Sequence, residues 1–158
     1  MSHPVYIERQ FASVLWIVLP VISLLVFMFH YNAAQQAAQT WALGIVVLAN
    51  ALILLLLGRL TISIDATHLR WHFGFIGWPA WSIPLAEIAG AEATSSRWIE
   101  GWGIKYTKQG MLYNAAGTAA VRIRRRNGKS LRLGCSDPRR LLSFLAPRIT
   151  PVVAAATV

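Results

Sequence analysis

The sequence AAVRIRRRNGKSLRLG, residues 119–134, alternates apolar and cationic side chains on both sides of a polar break at RNG. Such alternation is typical of half-buried β-strands, and the break predicts a hairpin. A two-residue NG turn would place Ile123 opposite Arg132, an apolar residue against a charged one on the same face. A three-residue loop, with Gly128 in the left-handed region as a G1 bulge, instead pairs Ile123 with Leu131. We therefore predict the bulged loop.

The same register gives the hairpin an outer face rich in arginine. It places Arg122 directly opposite Arg132, with Arg124 beside them, and like charges in such a pair cost a few tenths to about 1 kcal/mol. Arg125, Arg126 and Lys129 crowd the tip of the hairpin. This face is a candidate surface for an anionic lipid or a partner. The alternative is a solvated face whose arginines fan apart or pair with acids elsewhere.

Outward from the hairpin, short alternating segments predict further strands, and one helix follows. Asp137 and Pro138 supply a helix N-cap and a first-turn proline, and Pro147 limits the helix near Ala146. The sequence therefore predicts about seven strands closed by a C-terminal helix. Besides the hairpin, the predicted strand segments are 60–64, 68–73, 81–85, 88–94, 103–107 and 111–114.

The N-terminal part of the chain has a different composition. Two uncharged apolar runs, about 11–30 and 41–58, are each long enough to predict a transmembrane helix, and the connection between them carries no charge. Fourteen of the fifteen Lys and Arg residues follow Gly58. By the positive-inside rule we expect a multi-pass protein of the bacterial cytoplasmic (inner) membrane with both termini in the cytoplasm. Asn50, inside the second run, predicts an interhelical hydrogen bond.

Composition supports this division into an anchor and one domain. The chain of 158 residues is 56% hydrophobic and 13% charged, yet its net charge is +9. We expect a transmembrane helical hairpin over 1–58, a basic cytoplasmic domain over 59–148 and a tail over 149–158. The positive charge favours anionic partners, which include lipid headgroups, acidic proteins and nucleic acid.

Trp98 and Trp102 form a second candidate binding surface, with cationic residues around them. Three interpretations stay open. The indoles could plug one end of the β-domain as core, lie in a lipid headgroup layer, or form a groove for a partner peptide.

The order of elements, together with the stretches LTISIDATHLRW, WSIPLAEIAGAE, GMLYNAAG and SDPRRLLSFL, resembles the bacterial pleckstrin-homology-like domains found beside transmembrane helices. The resemblance covers about residues 60–147. It implies an α+β architecture in which the membrane hairpin precedes a bent, partly open barrel of two nearly orthogonal sheets, capped at one end by the helix. The first turn of this chain, Asp65-Ala66-Thr67, lacks the lysines that bind phosphoinositides in eukaryotic members, so that specificity is not carried over.

No catalytic or metal-binding pattern is present in the sequence. Cys135 is the only cysteine, which excludes an intrachain disulfide and the zinc patterns built on three or four cysteines. His68 and His72 lie four residues apart on one predicted strand, about 13 Å at a rise of about 3.3 Å per residue, which is too far for one metal. We therefore expect a protein that is not an enzyme and holds no cofactor.

The leading functional hypothesis is a membrane-anchored interaction or scaffold module whose basic face engages anionic lipid headgroups or a membrane-protein partner. The first alternative is an accessory subunit of a membrane complex that assembles through its transmembrane helices. The second is nucleic-acid binding by the basic domain, although no specific nucleic acid is expected because no recognition motif accompanies the charge.

Overall fold

The computed structural model describes residues 4–31, 36–96 and 103–149. Its secondary-structure elements, in chain order, are β1 (Tyr6–Phe11), α1 (Ser13–Tyr31), α2 (Gln36–Leu57), β2 (Arg59–Ile64), β3 (His68–Phe73), β4 (Ala80–Pro84), β5 (Ile88–Ser95), β6 (Gly103–Thr107), β7 (Gly110–Asn114), β8 (Ala119–Arg125), β9 (Ser130–Gly134) and α3 (Pro138–Leu145). Short 3₁₀ turns follow β4 and α3.

The strands form two sheets, and the chain is a mixed α+β protein. The first sheet has the order β1-β2-β3-β4 and is antiparallel throughout. The second has the order β5-β8-β9-β7-β6, in which only the pairing of β7 with β9 is parallel. Where about seven strands were predicted after residue 59, the structure has eight, β2–β9, and β1 makes nine among the described residues.

The core contains the inward-facing side chains of both sheets together with α3. Ile62, Leu69, Ile123 and Leu133 are each at most 1% exposed, and Leu141 of α3 is fully buried. Burying such a side chain contributes about 1.5–3 kcal/mol, so these positions fix which face of each strand points inward.

The bulged hairpin is confirmed. Ile123 pairs with Leu131 and Arg122 with Arg132, and Gly128 has a φ of +78°. The amide of Gly128 donates to the carbonyl of Arg125 at 3.0 Å, which closes the loop.

The predicted start of the C-terminal helix is also confirmed. The Asp137 side chain accepts a hydrogen bond from the amide of Arg140 at 3.0 Å, and Pro138 is the first helical residue. Leu141 and Leu145 on one side of this short helix are fully buried, so the helix is fixed both by its cap and by its packing.

The turn between β2 and β3 is held by the carboxylate of Asp65. This carboxylate accepts hydrogen bonds from the amides of Thr67 and His68 at 2.8 and 2.6 Å, and Arg70 lies 3.2 Å away. Burial would raise the pKa of Asp65, but the hydrogen bonds and the guanidinium outweigh it and lower this pKa.

The chain begins with a strand that the sequence interpretation missed. β1 pairs along its whole length with β2, from Tyr6 opposite Ile64 to Phe11 opposite Arg59. The predicted hairpin of two transmembrane helices over residues 1–58 is therefore wrong, since this part of the chain contributes an edge strand to the first sheet before its helices begin.

The two apolar helices do not form the predicted membrane spans. Within the described part of the chain, no helix is long and apolar enough to cross a membrane. This finding contradicts the spans over 11–30 and 41–58, the multi-pass topology and the inner-membrane localisation with cytoplasmic termini.

The predicted hydrogen bond of Asn50 between the two helices is confirmed. Its amide nitrogen donates to the carbonyl of Leu19 at 3.2 Å and to the hydroxyl of Ser23 at 2.5 Å. At the base of the pair, the indole of Trp16 donates to the carbonyl of Gly58 at 3.1 Å, so the helices pack antiparallel. Away from this contact they expose large apolar side chains, among them Leu48 at 70%.

Candidate functional site

The outer face of the second sheet carries a groove of about 710 Å³, and three of its seven lining residues are arginine. Because side chains alternate along a strand, Arg122 and Arg124 of β8 point to the same side, opposite to the buried Val121 and Ile123. Arg125 reaches the groove from the end of the strand. The lining is completed by Ala89, Gln109, Gly128 and Ser130.

Two carboxylates hold the arginines of the groove. Arg122 Nη1 donates to Glu92 Oε1 at 3.1 Å, and Glu92 lies directly across from it on β5. Arg125 donates to Glu87. Arg122 also donates through Nη2 to the Gln109 side chain at 2.7 Å. The repulsion expected between the arginines is thus offset by acids on the neighbouring elements.

Arg124 is the least constrained of the three. Its side chain is 63% exposed, and its nearest carboxylate oxygen, in Glu92, is 4.0 Å from Nη2. Its guanidinium lies over Gly90, where a Cβ would come within 3.7 Å of Nη2. Within the protein, few acceptors therefore compete for the N–H donors of Arg124.

Arg132 lies beneath the surface and not on it. It is only 1% exposed, and its Nη2 donates to the hydroxyl of Thr107 at 3.0 Å. Leu112, its neighbour on β7, is fully buried. Arg132 lies next to Arg122 in the pairing of β8 with β9, but it does not line the groove.

The other predicted residues are dispersed. Arg126 Nε donates to the carbonyl of Ala86 at 2.7 Å, which ties the hairpin tip to the turn after β4, and Lys129 is exposed at that tip. Asn50 lies between the helices, far along the chain from this face. Trp98 and Trp102 lie outside the described residues.

The sequence interpretation missed three side chains of the site. Gln109 belongs to the turn between β6 and β7, and Ser130 donates to its carbonyl at 2.8 Å, so the parallel pairing of β7 with β9 brings this turn to the groove. Glu92 reaches the arginines only through the pairing of β5 with β8. A register argument limited to one hairpin could not find partners supplied by distant strands.

Chemically, the groove offers cationic hydrogen-bond donors. Six cationic side chains lie on the β8–β9 hairpin, Arg122, Arg124, Arg125, Arg126, Lys129 and Arg132, and the first three of them contact the carboxylates of Glu92 and Glu87. In residues 4–31, 36–96 and 103–149, no three His, Cys, Asp or Glu side chains come together in a way that could hold a metal ion.

Comparison with protein-family models, with curated proteins and with solved structures finds no match to this chain. The resemblance to membrane-associated pleckstrin-homology-like proteins with two N-terminal transmembrane helices is therefore not supported, and the absence of a spanning helix among the described residues contradicts it.

Proposed function

We propose that this chain is a non-enzymatic binding module whose arginine-lined groove binds a phosphate-bearing anion. The observation that carries the proposal is the convergence of Arg122, Arg124 and Arg125 on one groove of about 710 Å³. The groove is large enough for a small phosphorylated molecule or for the headgroup of an anionic lipid, since ligand sites are commonly about 300–1,000 Å³.

The fixed arginines favour an acceptor with several oxygens, such as a phosphate group. Arg122 and Arg125 are oriented by carboxylates, so little side-chain entropy is lost when a ligand uses their remaining donors. A guanidinium matches the spacing of phosphate oxygens and can donate two parallel hydrogen bonds to them. A lysine cluster would lack this geometry.

The exposed Arg124 supplies the hydrogen-bond donors that are most available to a ligand. Its exposure and its 4.0 Å separation from Glu92 leave its donors available, whereas Arg122 is already shared between Glu92 and Gln109. A phosphate placed between Arg122 and Arg124 would displace the weaker of the two Glu92 contacts. The ligand therefore competes with Glu92 for Arg124.

The proposal is tested by titrating the full chain with inorganic phosphate, glycerol 3-phosphate and vesicles of phosphatidylcholine with or without phosphatidylglycerol. We expect binding to at least one phosphate source, weakened by salt as the Debye length shortens. Arg124→Gln should lower affinity about five- to tenfold, since one cation near an anionic surface contributes about 1 kcal/mol. Arg139→Gln, at an exposed position of α3, removes the same charge away from the groove and is the matched control.

The different probes in this experiment distinguish the sources of phosphate. Binding to the free compounds identifies a small molecule, while binding only to phosphatidylglycerol vesicles identifies a lipid headgroup; both support the groove if Arg124→Gln weakens them more than Arg139→Gln does. Equal effects of the two substitutions would overturn the proposal. So would the absence of binding to every one of these phosphate sources.

A further inference from the structure

A second cavity, of about 410 Å³, lies where the start of α1 and the end of α2 meet the second sheet. Its lining is almost entirely apolar and includes Leu15, Leu57, Phe73 and Ala115. Lys105 is the only charged residue in that lining among the residues the structure describes. It shares no residue with the arginine-lined groove.

Small residues keep this cavity open. Ala12 and Ala115 are 2% and 1% exposed, so they are part of the packed interior and yet leave space beside them. Gly103 has a φ of +101°, and a Cβ built on it would meet nothing within 4 Å. Apolar walls without opposing atoms lose dispersion contacts, which a ligand of matching shape would restore.

We propose that this cavity binds a small amphipathic carboxylate, with its hydrocarbon body against Leu15, Leu57 and Phe73 and its carboxylate at Lys105. The walls fit an aliphatic or aromatic body because ligand pockets are mainly apolar with a few polar groups that fix orientation. Lys105 is exposed on the edge strand β6, so its ammonium can lie at the mouth while its stem lines the wall. The charge of Lys105 selects an anionic head over a cationic one.

The first test is a ligand series on the full chain with hexanoate, octanoate and decanoate. We expect affinity to rise about fourfold for each added methylene until the cavity is filled. Decyltrimethylammonium, which has the same chain with a cationic head, should bind more weakly than decanoate by tenfold or more. A decanoate analogue with a terminal diazirine should label peptides that contain Leu57 or Phe73.

Lys105→Met keeps the length of the side chain and removes its charge at an exposed position, so the fold is retained. It should weaken decanoate binding about tenfold and leave the binding of decanol unchanged. Lys108→Met, in the next turn, is the matched control and should change neither. Leu15→Trp, which fills the cavity, should weaken both ligands.

Three results would overturn the inference: equal affinity of Lys105→Met for decanoate, equal binding of the cationic and anionic decyl compounds, or photolabelling confined to peptides outside the lining. The outcome is independent of the proposed groove, since Arg124→Gln should leave decanoate binding intact and Lys105→Met should leave phosphate binding intact.

Discussion

Glu8 and Ser136, which are 128 positions apart in the chain, are joined by two hydrogen bonds of 2.6 Å. The amide and the hydroxyl of Ser136 both donate to Glu8 Oε1, while Tyr6 and Gln10 donate to the same carboxylate at 2.5 and 2.9 Å. One side chain on the edge strand β1 thus ties the N-terminal strand to the loop that leads into α3.

This arrangement predicts a pH-dependent contribution to stability. Burial would raise the pKa of Glu8, but the hydrogen bonds from Ser136, Tyr6 and Gln10 outweigh it and lower this pKa below the ordinary value. A carboxyl whose folded pKa is lowered stabilises the fold above the unfolded pKa of about 4.3, and this stabilisation is lost as the pH falls through the folded pKa.

Glu8→Gln should lower the free energy of unfolding at pH 7 by about 1–3 kcal/mol, because hydrogen bonds to a charged group are lost. The difference between the two chains should shrink as the pH falls through the lowered folded pKa of Glu8, where the carboxyl becomes protonated in the native protein as well. Urea titrations at several pH values measure this. Arg9→Gln, on the opposite face of the same strand, should show no such pH-dependent difference, and a constant difference for Glu8→Gln would contradict the mechanism.

Local patterns in the sequence predicted several elements well. The strands His68–Phe73, Gly103–Thr107, Ala119–Arg125 and Ser130–Gly134 have the bounds expected from their alternation and from the turns beside them. The hairpin loop followed from one condition, that Ile123 cannot face the core opposite an arginine. Turn chemistry and period-two alternation act between near neighbours, so they can be read from a short stretch of sequence.

The strand β1 could not be predicted in this way. Its inward-facing residues after Tyr6 are Glu8 and Gln10, so it lacks the alternation of apolar and polar side chains that marks a half-buried strand. Their partner, Ser136, is supplied by a distant loop. The same limit applied to the groove, where the arginines were predicted and their partners Glu92 and Gln109 were not.

The backbone at Gly110 is predicted to tolerate no side chain. Its φ is +100°, and a Cβ there would lie 2.0 Å from the carbonyl oxygen of Ser130 on β9. Gly128 also has a positive φ, of +78°, but a Cβ there would meet nothing within 4 Å. A comparison of substitutions at the two glycines therefore separates the cost of backbone strain from the cost of steric overlap.

Gly110→Ala should therefore destabilise the fold by more than about 3 kcal/mol, and Gly128→Ala by about 1 kcal/mol, the cost of the left-handed conformation alone. Thermal unfolding of the two variants provides the comparison. Similar losses of stability in both variants would show that β7 does not approach β9 closely at Gly110.

The contact between the two helices depends on Asn50. Asn50→Ala removes the hydrogen bonds to Leu19 and Ser23 and should cost about 1 kcal/mol of unfolding free energy. In a double-mutant cycle with Ser23→Ala, the second substitution should cost less than it does alone, because the pair shares one hydrogen bond. Strict additivity would exclude this coupling.

Cys135 should be chemically inert in the native protein. It is 1% exposed, and burial, assisted by the charges of Glu8 and Asp137, raises the pKa of its thiol to about 12. At pH 8 this lowers the thiolate fraction roughly a thousandfold relative to a free cysteine of pKa about 8.5. Iodoacetamide should modify Cys135 only after unfolding in urea, as followed by mass spectrometry. Rapid modification in native buffer would contradict the burial.

Glu92 should limit both the repulsion among the arginines and the affinity of the groove. Glu92→Gln removes the acid that contacts Arg122 and Arg124 at 3.1 and 4.0 Å. We expect the free energy of unfolding to fall by about 0.5–1 kcal/mol at low salt, in the range of partly exposed pairs, and to recover as added salt screens the arginines. Phosphate binding should become several-fold tighter, because the carboxylate that competes with phosphate for Arg124 is gone. The two effects have opposite directions, which separates this mechanism from a general loss of structure. A general loss of structure would lower both the free energy of unfolding and the affinity for phosphate. Removal of a competing acid instead lowers the free energy of unfolding and raises the affinity for phosphate.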